Sequence, residues 1–288
     1  MFEHPQLEAL SAVIRLGSFD AAAVQLGVTA SAISQRIKQL EDRVGAVLVL
    51  RGQPCTPTPM AEKLVVHNDQ RHLLERELAA DLGLRTQAAD PVRIAVNADS
   101  LGSWLLPALA QVEGFLFDLI IDDQDHSEAW LKRGEVAAAI TSRETALQGC
   151  DCYPLGRLQY FATSSPEYMQ RYFAQGLSAA AFAQAPALTF STKDRLQRDW
   201  VASVIGAPVS LPTHYIASSH GFVDAALLGI GWGMNPKYLV EEHIAAGRLV
   251  CLAPDHVMET PLSWQVNRLT AQAIAPITRA VRKAAKVL

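Results

Sequence analysis

Ser31, Ser34, Gln35 and Lys38 follow the i, i+3, i+4, i+7 spacing that places side chains on one face of an α-helix, and Ile33, Ile37 and Leu40 share the opposite face. Two short hydroxyls, an amide and a cation suit hydrogen bonding to the edges of DNA bases. Gln pairs with adenine, and Ser serves donor or acceptor edges. Lys38 suits phosphate or guanine, and Arg36, on the flank of the polar face, suits the sugar–phosphate backbone. No acid lies between Ser31 and Leu40. Serine competes for backbone hydrogen bonds and is a mediocre helix former, so a plain solvated helix would more readily use Ala, Glu and Lys. The isoleucine side is fit for a core.

The elements that must hold this face are legible around it. Leu7, Leu10, Val13 and Ile14 make a helical stripe that Gly17 ends. Ser18 is an N-cap for a second helix through AAAVQL, with Asp20 in its first turn, where the helix dipole favours an anion. Gly27 permits the left-handed turn, and Thr29 caps the third helix. Ala23 lets the two helices approach and Ile33 plugs the gap, which is the pattern of a helix-turn-helix. A β-prone run at 46–50, then Arg51 and a proline-rich turn, predicts a small wing. From Pro59 to Gly83 the chain reads as one long helix, and Leu74, Leu78 and Leu82 form an apolar stripe that calls for a partner helix, most simply that of a second copy.

Character changes at TQAADPVRIAVNADS. Strands are expected at VRIAVN, LFDLIID (116–122), EVAAAI (135–140), LQYFATS (158–164), ALTF, THYIA, GIGWGM and LSWQV, with helices between them. The alternation predicts parallel sheets with covered faces in two lobes, and a cleft at the strands' carboxyl ends. The fold class expected is α/β: a winged helix-turn-helix over 1–58, a linker helix and hinge over 59–90, and a two-lobed domain over 91–288. Lobe 1 takes about 91–164 and 265–288, and lobe 2 about 165–264.

Composition bounds the partners. The chain has 288 residues, a net charge of −4, 19% charged and 50% hydrophobic residues, an ordinary globular balance. Acids and bases balance over residues 1–63, so DNA binding must rest on local placement of donors and on doubled contacts in a dimer rather than on bulk charge. No apolar run reaches the roughly 18 residues of a membrane span, and MFEHPQLEAL has no basic segment followed by an apolar one. No signal peptide and no membrane partner are expected, and the default is the cytoplasm. Cys55, Cys150, Cys152 and Cys251 match no zinc spacing and read as free thiols, so neither metal nor cofactor is expected.

The run AAAVQLGVTASAISQRIKQLEDRVGAVLVLR, followed by the long helix and the alternating domain, resembles the LysR-type transcriptional regulators over the whole length. SQRIKQLE (34–41), VNADSLGSWLLPALA (96–110) and LKRGEV (131–136) resemble the ArgP/LysG branch, regulators of arginine and lysine export. The chain departs from the family in TPMAEK (58–63), which lacks the glycine common at the start of the linker helix. The resemblance implies a periplasmic-binding-protein-like effector domain, a homodimer or homotetramer, a two-fold operator, contact with RNA polymerase, and a wing arginine, here Arg51, that reaches phosphate or the minor groove.

It also implies a basic amino acid as effector, and the residues suit one. Hydroxyls and helix N-terminal N–H groups suit its carboxylate; Ser100 follows VRIAVN, and Ser218 and Ser219 stand at the matching junction of the second lobe. Carboxylates suit its cationic groups; Asp122 and Asp123 end LFDLIID, Asp99 sits at the tip of the first strand, and Asp224 follows Ser219. Arg143 is placed to close the cleft, and Trp104 belongs to the core or lines the cleft. Asp and Ser at strand ends also serve as plain turn and cap residues.

Two rival readings stand beside this one. A hydrolase is disfavoured, because Ser219-His220 lacks a G-x-S-x-G elbow and GIGWG lacks the spacing of a dinucleotide fingerprint. A replication-origin or nucleoid-binding protein would share the DNA-binding end and need no effector.

Overall fold

The computed structural model describes residues 2–84, 90–122 and 127–287. Helices α1 (His4–Leu16), α2 (Phe19–Leu26) and α3 (Ala30–Val44) precede an antiparallel wing of β1 (Val49–Leu50) and β2 (Thr56–Pro57). The local signals act as expected. Ser18 Oγ accepts from Ala21 N and Thr29 Oγ1 from Ala32 N, and Gly27 takes φ 62°. Such caps contribute about 1 kcal/mol each. Leu7, Leu10, Val13, Ala23, Ile33, Ile37, Leu40, Leu48 and Leu64 form one buried cluster.

Helix α4 (Pro59–Asp81) follows, about 34 Å long at 1.5 Å per residue. Thr58 Oγ1 accepts from Ala61 N, so a hydroxyl caps the helix that lacks the family glycine. One side of α4 is bound to α1. Asn68 donates to Ser11 Oγ (3.1 Å), Arg71 and His72 both meet Glu8 (2.6 and 2.7 Å), and Arg15 pairs with Asp69. Another side enters the C-terminal domain, where Leu73 joins the main core. Leu74, Leu78 and Leu82 stay exposed, at 39%, 59% and 64%, so this chain leaves its own leucine stripe uncovered.

The C-terminal domain runs β3 (Asp90–Val96), α5 (Ala98–Ser100), a π-helical turn (Leu101–Leu105), α6 (Leu106–Leu109), β4 (Phe115–Ile121), α7 (Glu128–Lys132), β5 (Ala138–Thr141) and β6 (Cys150–Ser164). It continues with α8 (Pro166–Phe173), α9 (Ala179–Phe182), β7 (Ala187–Thr189), α10 (Leu196–Ile205), β8 (Thr213–Tyr215), α11 (Ser219–Leu227) and β9 (Gly233–Pro236). Helix α12 (Lys237–Ala245), β10 (Val250–Cys251), β11 (Met258–Asn267) and α13 (Ala275–Ala284) close it.

The sheets are not all parallel, as the alternation had predicted. One seven-stranded mixed sheet has the order β10-β6-β11-β5-β3-β4, with β9 also on β6. Only β3 with its neighbours β4 and β5 is parallel in it, and β11 runs antiparallel to both β5 and β6. The first half of β6 lies level with β5, and its second half meets β9 and β10, so β6 and β11 are the strands that cross between lobes. The register shift at Leu262/Ser263 falls opposite Pro154–Gly156. Those breakers conceal the first half of β6 in the sequence, because proline and glycine mark bulges as well as strand ends. Strand β9 starts at Gly233, and Trp232 before it is fully buried.

Candidate functional site

The head presents the α3 face as the spacing requires. Ser31, Gln35 and Lys38 are exposed and Ser34 is half-buried, while Ile33, Ile37 and Leu40 are sealed in the core at 0%, 2% and 0%. The Ser31 hydroxyl lies 2.9 Å from that of Thr29, which ties the first turn. Arg36 is half-buried on the flank. Glu41 Oε1 accepts from Leu48 N (2.8 Å) and Val49 N (3.4 Å), which fixes the wing against α3. Arg51 stands over the Phe19 ring at 5.2 Å. Ser34, Gln35, Lys38 and Arg51 thus border one open concavity between helix and wing. A convex helix face beside a cationic wing is the shape that enters a major groove.

The second site is a cavity of about 470 Å³ between the lobes. From the first lobe come Asn97, Asp99, Ile121 and Asp122. Tyr160 and Thr260 come from the crossing strands, and Asp194, Gln197, Ser219, Phe222 and Asn235 from the second lobe. Asp99 joins the two sides. It accepts from Ser219 Oγ at 2.5 Å and from Tyr160 OH at 2.7 Å. Asp122 accepts from the Trp130 indole at 2.9 Å. Hydroxyl and indole donors are neutral, so these bonds orient the two carboxylates. Asp194 caps Phe190 N and Leu196 N, and Asp199 lies 3.4 Å from Arg195.

Buried amides complete the lining. Asn97, Gln197 and Asn235 are 3%, 1% and 0% exposed. Among the described residues, both polar atoms of the Asn97 amide, the Gln197 Oε1 and the Asn235 Oδ1 have no hydrogen-bond partner. Leaving such an atom unsatisfied costs about 1–3 kcal/mol, a cost that a polar ligand removes. The cavity therefore offers carboxylates and the amide oxygens of Gln197 and Asn235 for cationic groups, and the Asn97 amide N–H for a carboxylate.

Of the residues predicted for an effector, the structure brings Asp122 and Ser219 to this cavity, and Asp99 with them. Asp123 lies outside the described residues. The others are placed elsewhere. Ser100 is wholly buried behind Asp99 with its hydroxyl unpartnered, and Trp104, in the π-helical turn, is 3% exposed in the core. Ser218 spends its hydroxyl on the Gly221 N–H as the N-cap of α11, and Asp224 is exposed on the outer side of that helix. Arg143 pairs with Glu128 at 3.5 Å. The hydrogen bond from Lys132, with the charges of Lys132 and Arg143, overcomes burial and holds the Glu128 carboxyl below its usual range. Sequence reasoning missed Tyr160, Asn235, Asn97 and Gln197. A polar residue inside an otherwise apolar strand, as in LQYFATS or GMNP, was the available signal.

A DNA-reading head on a ligand cavity held between two lobes defines a ligand-responsive DNA-binding protein. Comparison with known families gives the narrower class. Residues 4–62 match the family described as bacterial regulatory helix-turn-helix protein, lysR family, and residues 85–286 match the LysR substrate binding domain. The chain belongs to the LysR family of bacterial transcriptional regulators. It is 41% identical to the HTH-type transcriptional regulator LysG of Mycobacterium tuberculosis over 285 residues, 99% of this chain and 94% of that one. Its fold is similar to the crystal structure of ArgP from Mycobacterium tuberculosis, with a TM-score of 0.79, 41% identity, and coverage of 99% of this chain and 97% of that one. Full-length LysG from Corynebacterium glutamicum with bound effector Arg is similar at a TM-score of 0.66 and 33% identity, over 99% of this chain and 98% of that one. Among the described residues no helix is long and apolar enough to cross a membrane.

Proposed function

We propose that this regulator binds a basic amino acid, arginine or lysine, in the cavity between its lobes, and that binding changes its grip on the operator of an amino-acid exporter gene in the cytoplasm. The observation that carries the reading is the pairing of Asp99 and Asp122 with unsatisfied buried amides in one cavity. The cationic groups of the ligand meet the carboxylates and the amide oxygens of Gln197 and Asn235, and its α-carboxylate meets the Asn97 amide N–H. The arginine-bound LysG relative supports the same ligand class. A role confined to replication origins or the nucleoid gives those buried amides nothing to do, which argues against it.

At the DNA end, Ser34 and Gln35 read bases, with Ser31 at the helix start. Lys38, Arg36 and Arg51 bind phosphate or, for Arg51, the minor groove. Residues 1–58 form the DNA-binding unit, 59–90 the linker and 91–288 the effector domain. The exposed Leu74, Leu78 and Leu82 support a dimer through α4, and two dimers make the family's tetramer, which acts with RNA polymerase. The test is operator binding by the full chain, on a duplex it selects from a random-sequence library, with and without L-arginine. A shift in affinity is expected. Unchanged affinity and footprint with either arginine or lysine contradicts the proposal.

A further inference from the structure

Asp122, at the cavity, lies at the C-terminal end of β4, and the other end of that strand rests on the linker helix. Arg76 of α4 sits there. Its guanidinium carbon is 4.0 Å from the Phe115 ring centroid, and its Nη1 donates to the Gly114 carbonyl at 2.6 Å. Gly114 has φ +80°, and a Cβ there would stand 2.7 Å from Arg76 Nη2, so the guanidinium occupies the space a side chain would fill. The seven residues of β4 pair in unbroken register with β3, which itself leads into Asn97 at the cavity. A paired strand does not stretch, and one of seven residues spans about 23 Å. Displacement at Asp122 therefore arrives at Phe115 as rigid-body movement.

A second route starts from the same carboxylate. The Trp130 indole on α7 donates to Asp122, and α7 ends toward Gly134, whose carbonyl accepts from Gln70 of α4 at 3.3 Å. Between Gln70 and Arg76, Leu73 is buried in the core of the effector domain. The head end of α4 is fixed to α1 by Arg71–Glu8, Asn68–Ser11 and Asp69–Arg15. Helix α4 is thus gripped by the head through one face and by the cavity's strand through Arg76.

We infer that Arg76 is the positioning residue that couples the effector cavity to the DNA-reading head: it is the joint through which β4 moves α4. The inference rests on the effector reading above. Coupling between two sites is measured as the factor by which one ligand changes the affinity of the other, commonly about 5–150-fold.

The experiment measures operator affinity of the full chain by fluorescence anisotropy, on a duplex selected by the wild type, with and without saturating L-arginine or L-lysine. Calorimetry gives the amino-acid affinity separately. Arg76→Ala is expected to bring the coupling factor to about twofold or less. Its amino-acid affinity and its operator affinity without effector should stay within about threefold of wild type. Phe115→Leu, which keeps an apolar side chain and removes the ring, should show the same loss. Arg171→Ala removes an arginine stacked on Tyr172 in the second lobe at 5.0 Å and should keep the full factor. A wild-type factor in Arg76→Ala or Phe115→Leu, or its loss in Arg171→Ala, overturns the joint while the effector reading stands. A wild type that responds to neither amino acid overturns the effector reading, and the joint with it.

Discussion

Asp99→Asn separates charge from shape in the cavity. The carboxylate accepts from Ser219 on one lobe and Tyr160 on a crossing strand. Asparagine has the same outline, and a hydroxyl both donates and accepts, so one hydroxyl can bond the amide oxygen and the other can accept from the amide nitrogen. The ligand-free fold should change by under about 1 kcal/mol, or roughly 2–4 °C in melting temperature. The ligand loses a charge-assisted hydrogen bond, which contributes about 1.5–3 kcal/mol. That converts to arginine binding weakened about 10- to 150-fold. Isothermal titration of L-arginine into the full-length wild type and variant is the assay. Affinity within about threefold of wild type, with the fold intact, refutes the assignment of Asp99 to the cationic groups.

Other consequences follow from the same geometry. Gln35→Ala should cost about 1–3 kcal/mol at one base pair per half-site, read as relaxed preference at that position in a substituted-operator series; uniform weakening on all sequences removes Gln35 from base reading. Ile37→Ala, at a side chain 2% exposed behind the reading face, should destabilise the protein by about 2–5 kcal/mol in urea unfolding and abolish operator binding with it. At Glu8, burial works to raise the carboxyl, but the hydrogen bonds and charges of His72, Asn68 and Arg15 outweigh it and leave the folded value below the ordinary 4.5. A depressed carboxylate stabilises the fold above its unfolded value and loses that contribution as pH falls through its folded one. The destabilisation by Glu8→Gln should therefore shrink as pH falls below about 4.5, which chemical unfolding at stepped pH would show.

The head was legible in the sequence almost side chain by side chain, because its signals are local. Ser18 and Thr29 cap within three residues, Gly27 sets its own turn, and the period of Ile33, Ile37 and Leu40 states which face is buried. The cavity was less legible because it is assembled from strands far apart in sequence. Asp122 and Ser219 were found as polar residues at element ends. Tyr160 and Asn235 sit within strands, and only the pairing of β6 with β9 brings them level. Ser100 and Ser218 carried the same local signature as Ser219, yet one faces the core and the other closes its own helix turn. Rotation about the strand–helix junction decides among them, and spacing does not report it.

Whether the cavity takes a basic amino acid can be read from a thermal-shift screen of the twenty amino acids against the full-length protein. At 100 times its dissociation constant a ligand stabilises the folded state by about 2.7 kcal/mol. For an effector domain of this size that is a rise of roughly 5–10 °C. Such a rise is expected with L-arginine or L-lysine and little with the acidic and aromatic amino acids; stabilisation by an acidic or aromatic compound alone would rule out a basic amino acid as the cavity's ligand.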